Sequence, residues 1–272
     1  MTTIDHGAAV ATETARLVAA LRDADPTTPV PTCPGWTLTD LTRHTGSVQR
    51  WFTVLLRQRI QQPPRSREVD LRLPAGPDGY PAWLAEAAAE AGAAFAETDL
   101  DAPMWAWGAD QHARFWVRRM LFETLVHRAD AELALGRTPV IDPELAADGV
   151  SEFLTNLPFA AFFAPGTAEL RGADRTIRFT RTDGGATPAG GDWLIRLRPD
   201  GFGLDLASPD PDGAGPDGAG PGGTGPEADA TVRASAADLL LLLYGRLDRA
   251  SARLDLRGDE ELLAHWFANS AF

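Results

Sequence analysis

The sequence lacks the residues and segments that several classes of protein require. Its 272 residues include one cysteine, Cys33, which excludes an internal disulfide and any zinc site built mainly from cysteines. No apolar run approaches the roughly 20 residues that cross a bilayer. The N-terminus shows no basic segment followed by an apolar one, so we expect no signal peptide. These absences favour a cytoplasmic protein without a membrane span.

Basic residues are also scarce. The chain has 25 of them, all arginine, against 38 acidic residues, for a formal net charge of −13. A surface this acidic repels a phosphate backbone, so we expect no nucleic-acid partner. Hydrophobic residues make up 44% of the chain, which is sufficient for one large core or two smaller ones.

The first 157 residues show a helical spacing of apolar residues. Thr37 and Asp40 have the spacing of a capping box at the start of the second helical segment. Several long helices with apolar faces predict an up-and-down four-helix bundle over residues 1–157. The predicted helical segments begin near Ile4, Thr37, Pro81, Gln111 and Pro143.

The apolar spacing changes after about residue 171. Apolar and polar residues then alternate, as in half-buried strands, and helical segments follow. We therefore predict a smaller α+β domain over residues 158–272. Within it, residues 208–227 contain 12 glycines and prolines in 20 positions, which predicts a disordered insertion. No long apolar stripe is left exposed, so we expect a monomer. The strand-like segments are 175–182, 192–199, 201–207, 230–236 and 252–258, and the helical ones are 236–246 and 260–269.

Three ionisable residues lie on apolar helix faces. Glu123 and His127 are four positions apart, so both project from one face of the predicted fourth helix, beside Trp116 and Met120. His44 lies on the apolar stripe of the second helix. An ionisable group on such a face costs several kcal/mol unless it is paired or bound to a metal.

Two interpretations of these residues are open. Two histidines and a glutamate with a free fourth position describe a catalytic zinc site, in which a bound water or thiol becomes acidic. Alternatively, Glu123 and His127 form a buried hydrogen bond and His44 is satisfied separately. Cys33 could be a fourth ligand, a nucleophile or a small packing residue. We favour packing, because a catalytic site needs an open position.

Two motifs resemble the mycothiol-dependent maleylpyruvate isomerase family of actinobacteria. They are PTCPGWTLTDLTRHTG, residues 31–46, and RRMLFETLVHRADAELALG, residues 118–136. The resemblance implies a DinB-like metal-binding four-helix bundle followed by a sterol-carrier-like α+β domain. It also implies a metal, zinc or another divalent ion, held by His44, Glu123 and His127.

The resemblance further implies an enzyme that uses mycothiol as cosubstrate. The thiol would lose its proton at the metal and attack an electrophilic small molecule, as a maleylpyruvate-type cis–trans isomerase or as a thiol S-transferase. Arg246 matches a family arginine that could hold a substrate carboxylate, or could be a cation at a helix C-terminus. Arg119 could pair with Glu123 or with substrate. Asp40 and Asp130 could orient the ligand histidines or cap and solvate their helices.

Two other functions stay open from the sequence. A metal-bound hydroxide could hydrolyse an ester, an amide or a strained ring in a biosynthetic pathway, without any thiol. In the other alternative the metal is structural or absent, and the small domain binds an apolar ligand without catalysis.

Overall fold

The computed structural model describes residues 4–64, 69–184, 191–205 and 228–271. The chain divides into two compact units, Met1–Ile141 and Asp142–Phe272. The first is helical and the second contains a mixed sheet with helices, which confirms the predicted fold class. The insertion expected at residues 208–227 lies outside the described residues.

The first unit is a bundle of four helices. Helices α1 and α2 each pack against both α3 and α4, and large apolar side chains from all four helices are buried. The bundle predicted from the spacing of apolar residues is therefore present. Its helices are α1 (His6–Leu21), α2 (Leu38–Gln58), α3 (Tyr80–Glu97), preceded by a 3-10 turn (Pro77–Gly79), and α4 (Ala113–Ala134).

A capping box sets the start of α2. The backbone N–H of Asp40 donates to Thr37 Oγ1 at 3.3 Å, and the backbone N–H of Thr37 donates to the Asp40 carboxylate at 3.0 Å. Both N–H groups would otherwise lack a partner at the helix end. The role predicted from the spacing is confirmed.

Helix α4 is buried along most of its length, although it carries several charged residues. Arg128 is 1% exposed and pairs with Glu13 of α1 at 2.8 Å and with Glu132 at 2.6 Å. Buried charges are tolerated when they are paired in this way. These ion pairs hold in place the helix that also carries Glu123 and His127.

The second unit is an α+β structure. Its sheet has the strand order β3-β2-β1-β4-β5, in which β1 and β4 are parallel and the other neighbours are antiparallel. Each segment predicted to be a strand forms one. The helix Pro143–Asn156 (α5) was predicted to end the bundle domain, but it lies in this second unit instead. The elements are α5 (Pro143–Asn156), two 3-10 turns (Leu157–Phe162, Pro165–Glu169), β1 (Arg175–Arg181), β2 (Asp192–Arg198), β3 (Gly201–Leu204), β4 (Ala230–Ala234), α6 (Ala236–Leu243), β5 (Asp255–Gly258) and α7 (Glu260–Asn269).

Gly46 allows α2 to approach α3 two residues after His44. A Cβ at this position would lie 2.2 Å from the ring of Trp83, which is held by a 2.7 Å hydrogen bond from Nε1 to the carbonyl oxygen of Leu71. Alanine is favoured over glycine in a helix by about 1 kcal/mol, but overpacking costs about 1–3 kcal/mol. We expect Gly46→Ala to lower the free energy of unfolding by up to about 2 kcal/mol.

Gly92→Ala is the matched control for this prediction. Gly92 lies inside α3, and a Cβ added there meets no described atom within 4 Å. We expect this substitution to raise the free energy of unfolding by about 1 kcal/mol. Urea unfolding of the wild type and both variants measures the two effects. Equal stabilisation by both substitutions would contradict the close helix approach at Gly46.

Candidate metal centre

The three residues predicted as metal ligands lie together in the first unit. His44 Nε2 is 3.0 Å and His127 Nε2 is 3.3 Å from the same oxygen, Glu123 Oε1. One ligand atom from each residue lies within 4.8 Å of the other two. The side chains are 35%, 24% and 10% exposed for His44, Glu123 and His127 respectively, so solvent reaches the cluster from the His44 side.

These separations fit a divalent metal ion. Zinc binds nitrogen and oxygen at about 2.0–2.2 Å, so two tetrahedral donors lie about 3.3–3.6 Å apart. The observed 3.0 and 3.3 Å are close to that range. Two imidazoles and one carboxylate are also a donor set of catalytic zinc sites. Imidazole suits iron, nickel and copper as well, so the donors do not select one metal.

Strong electrostatic coupling links the members of the cluster. Burial by itself would raise the pKa of Glu123, but hydrogen bonds with His127 and His44 hold that pKa well below its usual range. Burial would lower the pKa of His127, but hydrogen bonds with Asp130, Cys33 and Glu123 raise that pKa well above its usual value. A metal at His127 Nε2 therefore competes with a proton for the same nitrogen.

Asp130 orients His127 from the side opposite Glu123. The carboxylate is fully buried; its Oδ2 lies 2.9 Å from His127 Nδ1, and its Oδ1 accepts from Thr32 Oγ1 at 2.6 Å. A proton on Nδ1, held by the carboxylate, leaves Nε2 with a lone pair for a metal. Of the two acidic residues considered from the sequence, Asp130 contacts a histidine and Asp40 caps its helix.

The turn before α2 covers the cluster. The ring of Trp36 lies 4.9 Å from that of His44 and 6.1 Å from that of His127, measured between centroids. Cys33 packs against the leucine-rich core and donates its thiol proton to Asp130 at 3.4 Å. Cys33 therefore packs against the core as expected, and it also makes a polar contact with Asp130. Sequence reasoning gave Thr32 and Trp36 no role, although the PTCPGW motif contains both.

An open cleft of about 460 Å³ borders His44. One part of its wall is polar and includes Arg43, whereas another is apolar and includes Leu71 and Leu73. The apolar segment is held by the hydrogen bond from Trp83 to Leu71 and by an ion pair of Arg72 with Glu90. A small amphipathic molecule fits this combination. The complete lining is Gly35, Trp36, Asp40, Arg43, His44, Ser47, Leu71 and Leu73.

The two arginines predicted to bind substrate have different surroundings. Arg119 is 3% exposed and donates to Glu123 Oε2 at 3.1 Å, so it pairs with a proposed ligand. Arg246 belongs to the second unit, follows α6 and donates to the backbone carbonyl of Tyr244. A contact of either arginine with substrate stays a prediction.

Both units match models of the same protein family. Residues 8–132 match the family model of the mycothiol maleylpyruvate isomerase N-terminal domain, and residues 144–265 match that of the C-terminal domain. No curated protein sequence matches the chain.

In the described part of the chain, no helix is both long and apolar enough to cross a membrane.

Two crystal structures share the fold. Both are of the mycothiol-dependent maleylpyruvate isomerase, one of them a single-residue mutant. The mutant aligns with a TM-score of 0.58 at 13% sequence identity, and the other structure with a TM-score of 0.56 at 14%. Each alignment covers 93% of this chain and 91% of the other chain.

Proposed function

The chain belongs to the mycothiol-dependent maleylpyruvate isomerase family, and from this premise we propose that it is a zinc-dependent enzyme acting with a small thiol. In this proposal the thiol is mycothiol, and it attacks an electrophilic small molecule. The observation that supports it most directly is the cluster of His44, Glu123 and His127 beside an open cleft. These three residues are the proposed metal ligands.

Zinc bound there would lower the pKa of a coordinated thiol, which otherwise has a pKa of about 8.5 and is mostly protonated at neutral pH. His44 and His127 contribute neutral nitrogens and Glu123 contributes one negative charge. Together with a divalent ion they leave one net positive charge, which favours a bound anion. Asp130 keeps Nε2 of His127 available by holding the proton on Nδ1.

The walls of the cleft would bind and orient the substrate. Leu71 and Leu73 offer an apolar surface to its hydrocarbon part, and Arg43 offers a cation to a carboxylate. Trp36 packs against His44 and forms part of the wall of the cleft beside it. Separately from this cleft, Arg246 of the second unit stays a proposed partner for a substrate carboxylate, as the family resemblance implies.

Two reactions follow from the same attack. In an isomerase, the thiolate adds to a cis double bond, the new single bond rotates, and elimination of the thiolate gives the trans product with the thiol regenerated. In a transferase, the thiol conjugate accepts a proton and is itself the product. Both reactions require a reduced thiol, so we place them in a reducing compartment such as the cytoplasm.

Thiol dependence of turnover tests this function. The zinc-loaded protein is incubated with maleylpyruvate and with a panel of other electrophiles, each with and without mycothiol. We expect turnover only with thiol, which is regenerated if the reaction is an isomerisation and consumed if it is a conjugation. Hydrolysis or ring opening without thiol would replace the proposal with a metal-hydroxide enzyme. Binding of small apolar ligands without any turnover would replace it with a binding module.

A further inference from the structure

We propose that Arg119 is a positioning residue that restricts Glu123 to a single metal-ligating oxygen and thereby preserves an open coordination position. This inference rests on the metal site of the proposed function. It concerns whether Glu123 binds the metal through one oxygen or through two. The identity of the three ligands does not determine this number.

The two carboxylate oxygens of Glu123 have separate partners. Oε1 lies 3.0 Å from His44 Nε2 and 3.3 Å from His127 Nε2, so it is the oxygen that faces the other ligand atoms. Oε2 accepts a hydrogen bond from the guanidinium of Arg119 at 3.1 Å. An oxygen engaged by a guanidinium is not free to rotate towards a metal on the other side of the carboxylate.

Arg119 is suited to this role by its place on the helix. It precedes Glu123 by four residues on α4, so the helix itself keeps the two side chains adjacent. Arg119 is 3% exposed, and its planar guanidinium directs its donors in a fixed geometry. The contact is therefore already present when a metal arrives.

The consequence concerns the coordination number. A carboxylate without this contact can bind a metal through both oxygens. A catalytic zinc site has three protein ligands and keeps its fourth position for water or substrate. A second oxygen from Glu123 would compete for the position that the thiol needs.

Arg119→Met tests the role, because methionine removes the donor and the charge while it fills similar space. Zinc affinity is measured by competition with a chelator, and geometry by the absorption spectrum of the Co²⁺-substituted protein. We expect zinc affinity to fall about 10–100-fold, as is typical when a partner of a ligand is lost. We also expect weaker visible Co²⁺ bands, which indicate a higher coordination number. Arg119→Lys, which keeps a cation and one donor, should recover most of the affinity.

Arg50→Met is the matched control. Arg50 is 2% exposed on α2, the helix that carries His44, and it pairs with Glu90 at 2.9 Å. Glu90 is not a proposed ligand, so we expect this variant to lose stability but to keep the zinc affinity and the Co²⁺ spectrum of the wild type. If Arg119→Met does not fold, Arg119→Gln takes its place with the same criteria.

Three results would overturn the inference in distinguishable ways. If Arg119→Met keeps both the zinc affinity and the Co²⁺ spectrum of the wild type, Arg119 does not position Glu123. If Arg50→Met weakens zinc binding as much, the effect is general destabilisation. If the wild-type protein binds neither zinc nor Co²⁺, the proposed function itself fails, and this inference fails with it.

Discussion

His44→Ala and Glu123→Ala are each expected to abolish stoichiometric zinc binding, whereas we expect the wild-type protein to bind about one zinc per chain. A structural zinc site with four ligands contributes about 10–16 kcal/mol, which is about 2.5–4 kcal/mol for each ligand. Loss of one ligand therefore weakens binding by about two to three orders of magnitude. Elemental mass spectrometry after zinc reconstitution measures the metal content, and thiol-dependent turnover should disappear in parallel.

His112→Ala is the control for these variants. His112 is a histidine of the same unit, but it pairs with Asp110 and lies outside the His44–Glu123–His127 cluster. We expect it to keep both zinc and turnover, so that loss of metal can be assigned to the cluster. Circular dichroism shows whether each variant is folded. This is needed above all for Glu123→Ala, which removes the carboxylate that pairs with the buried Arg119 at 3.1 Å.

A wild-type protein without metal after reconstitution would contradict the metal site. The distances in the cluster would then represent only the buried Glu–His hydrogen bonds that the sequence left as the alternative. His44→Ala would in that case lower stability, and thiol-dependent chemistry at this cluster would be excluded.

Asp130→Asn and Asp130→Ala are expected to weaken zinc binding about 10–100-fold, with the larger effect for alanine. Asp130 is buried and accepts hydrogen bonds from Thr32, Cys33 and His127. Asparagine keeps the shape but loses the charge that stabilises a proton on His127 Nδ1. Alanine also removes the carboxylate that accepts from these donors, of which His127 is buried, and this adds a cost in stability of about 1–3 kcal/mol. Zinc competition and urea unfolding measure the two effects separately.

Thr32→Val is the control for Asp130. It removes the 2.6 Å hydrogen bond from the Thr32 hydroxyl to Asp130 Oδ1 but leaves the contact of Oδ2 with His127. We expect zinc affinity to change by less than about tenfold, below the range for the loss of a direct ligand partner. Wild-type zinc affinity in Asp130→Asn would show that this carboxylate serves packing and solvation rather than the histidine.

Much of the fold can be predicted from local sequence patterns. The capping residues Thr37 and Asp40 predict the start of α2, and α7 spans 260–269 as its spacing indicates. Alternating residues predict the strands, and in β2 and β4 the alternate residues are buried as this pattern requires. The parallel pairing of β1 with β4 is not predictable in this way, since it joins segments more than 50 residues apart.

The cluster of proposed metal ligands is also only partly predictable from local sequence patterns. Glu123 and His127 share a helix, so their spacing alone predicts a common face. Their distance from His44 depends on how α2 packs against α4, and close packing of α2 depends on Gly46 meeting the ring of Trp83. The place of His44 on the apolar face of α2 and the family resemblance both predicted it as the third ligand, but only the structure shows its Nε2 3.0 Å from Glu123.

The sequence by itself determined the helical and strand segments, the capping of α2 and the shared face of Glu123 and His127. Each of these depends on residues within a few positions of one another, where backbone geometry leaves few choices. Tertiary structure decided that His44 Nε2 lies 3.0 Å from Glu123, and that Asp130 also accepts from Thr32 and Cys33 of the turn before α2. These contacts join residues 79 to 98 positions apart, so they depend on packing between distant segments, which local spacing does not specify.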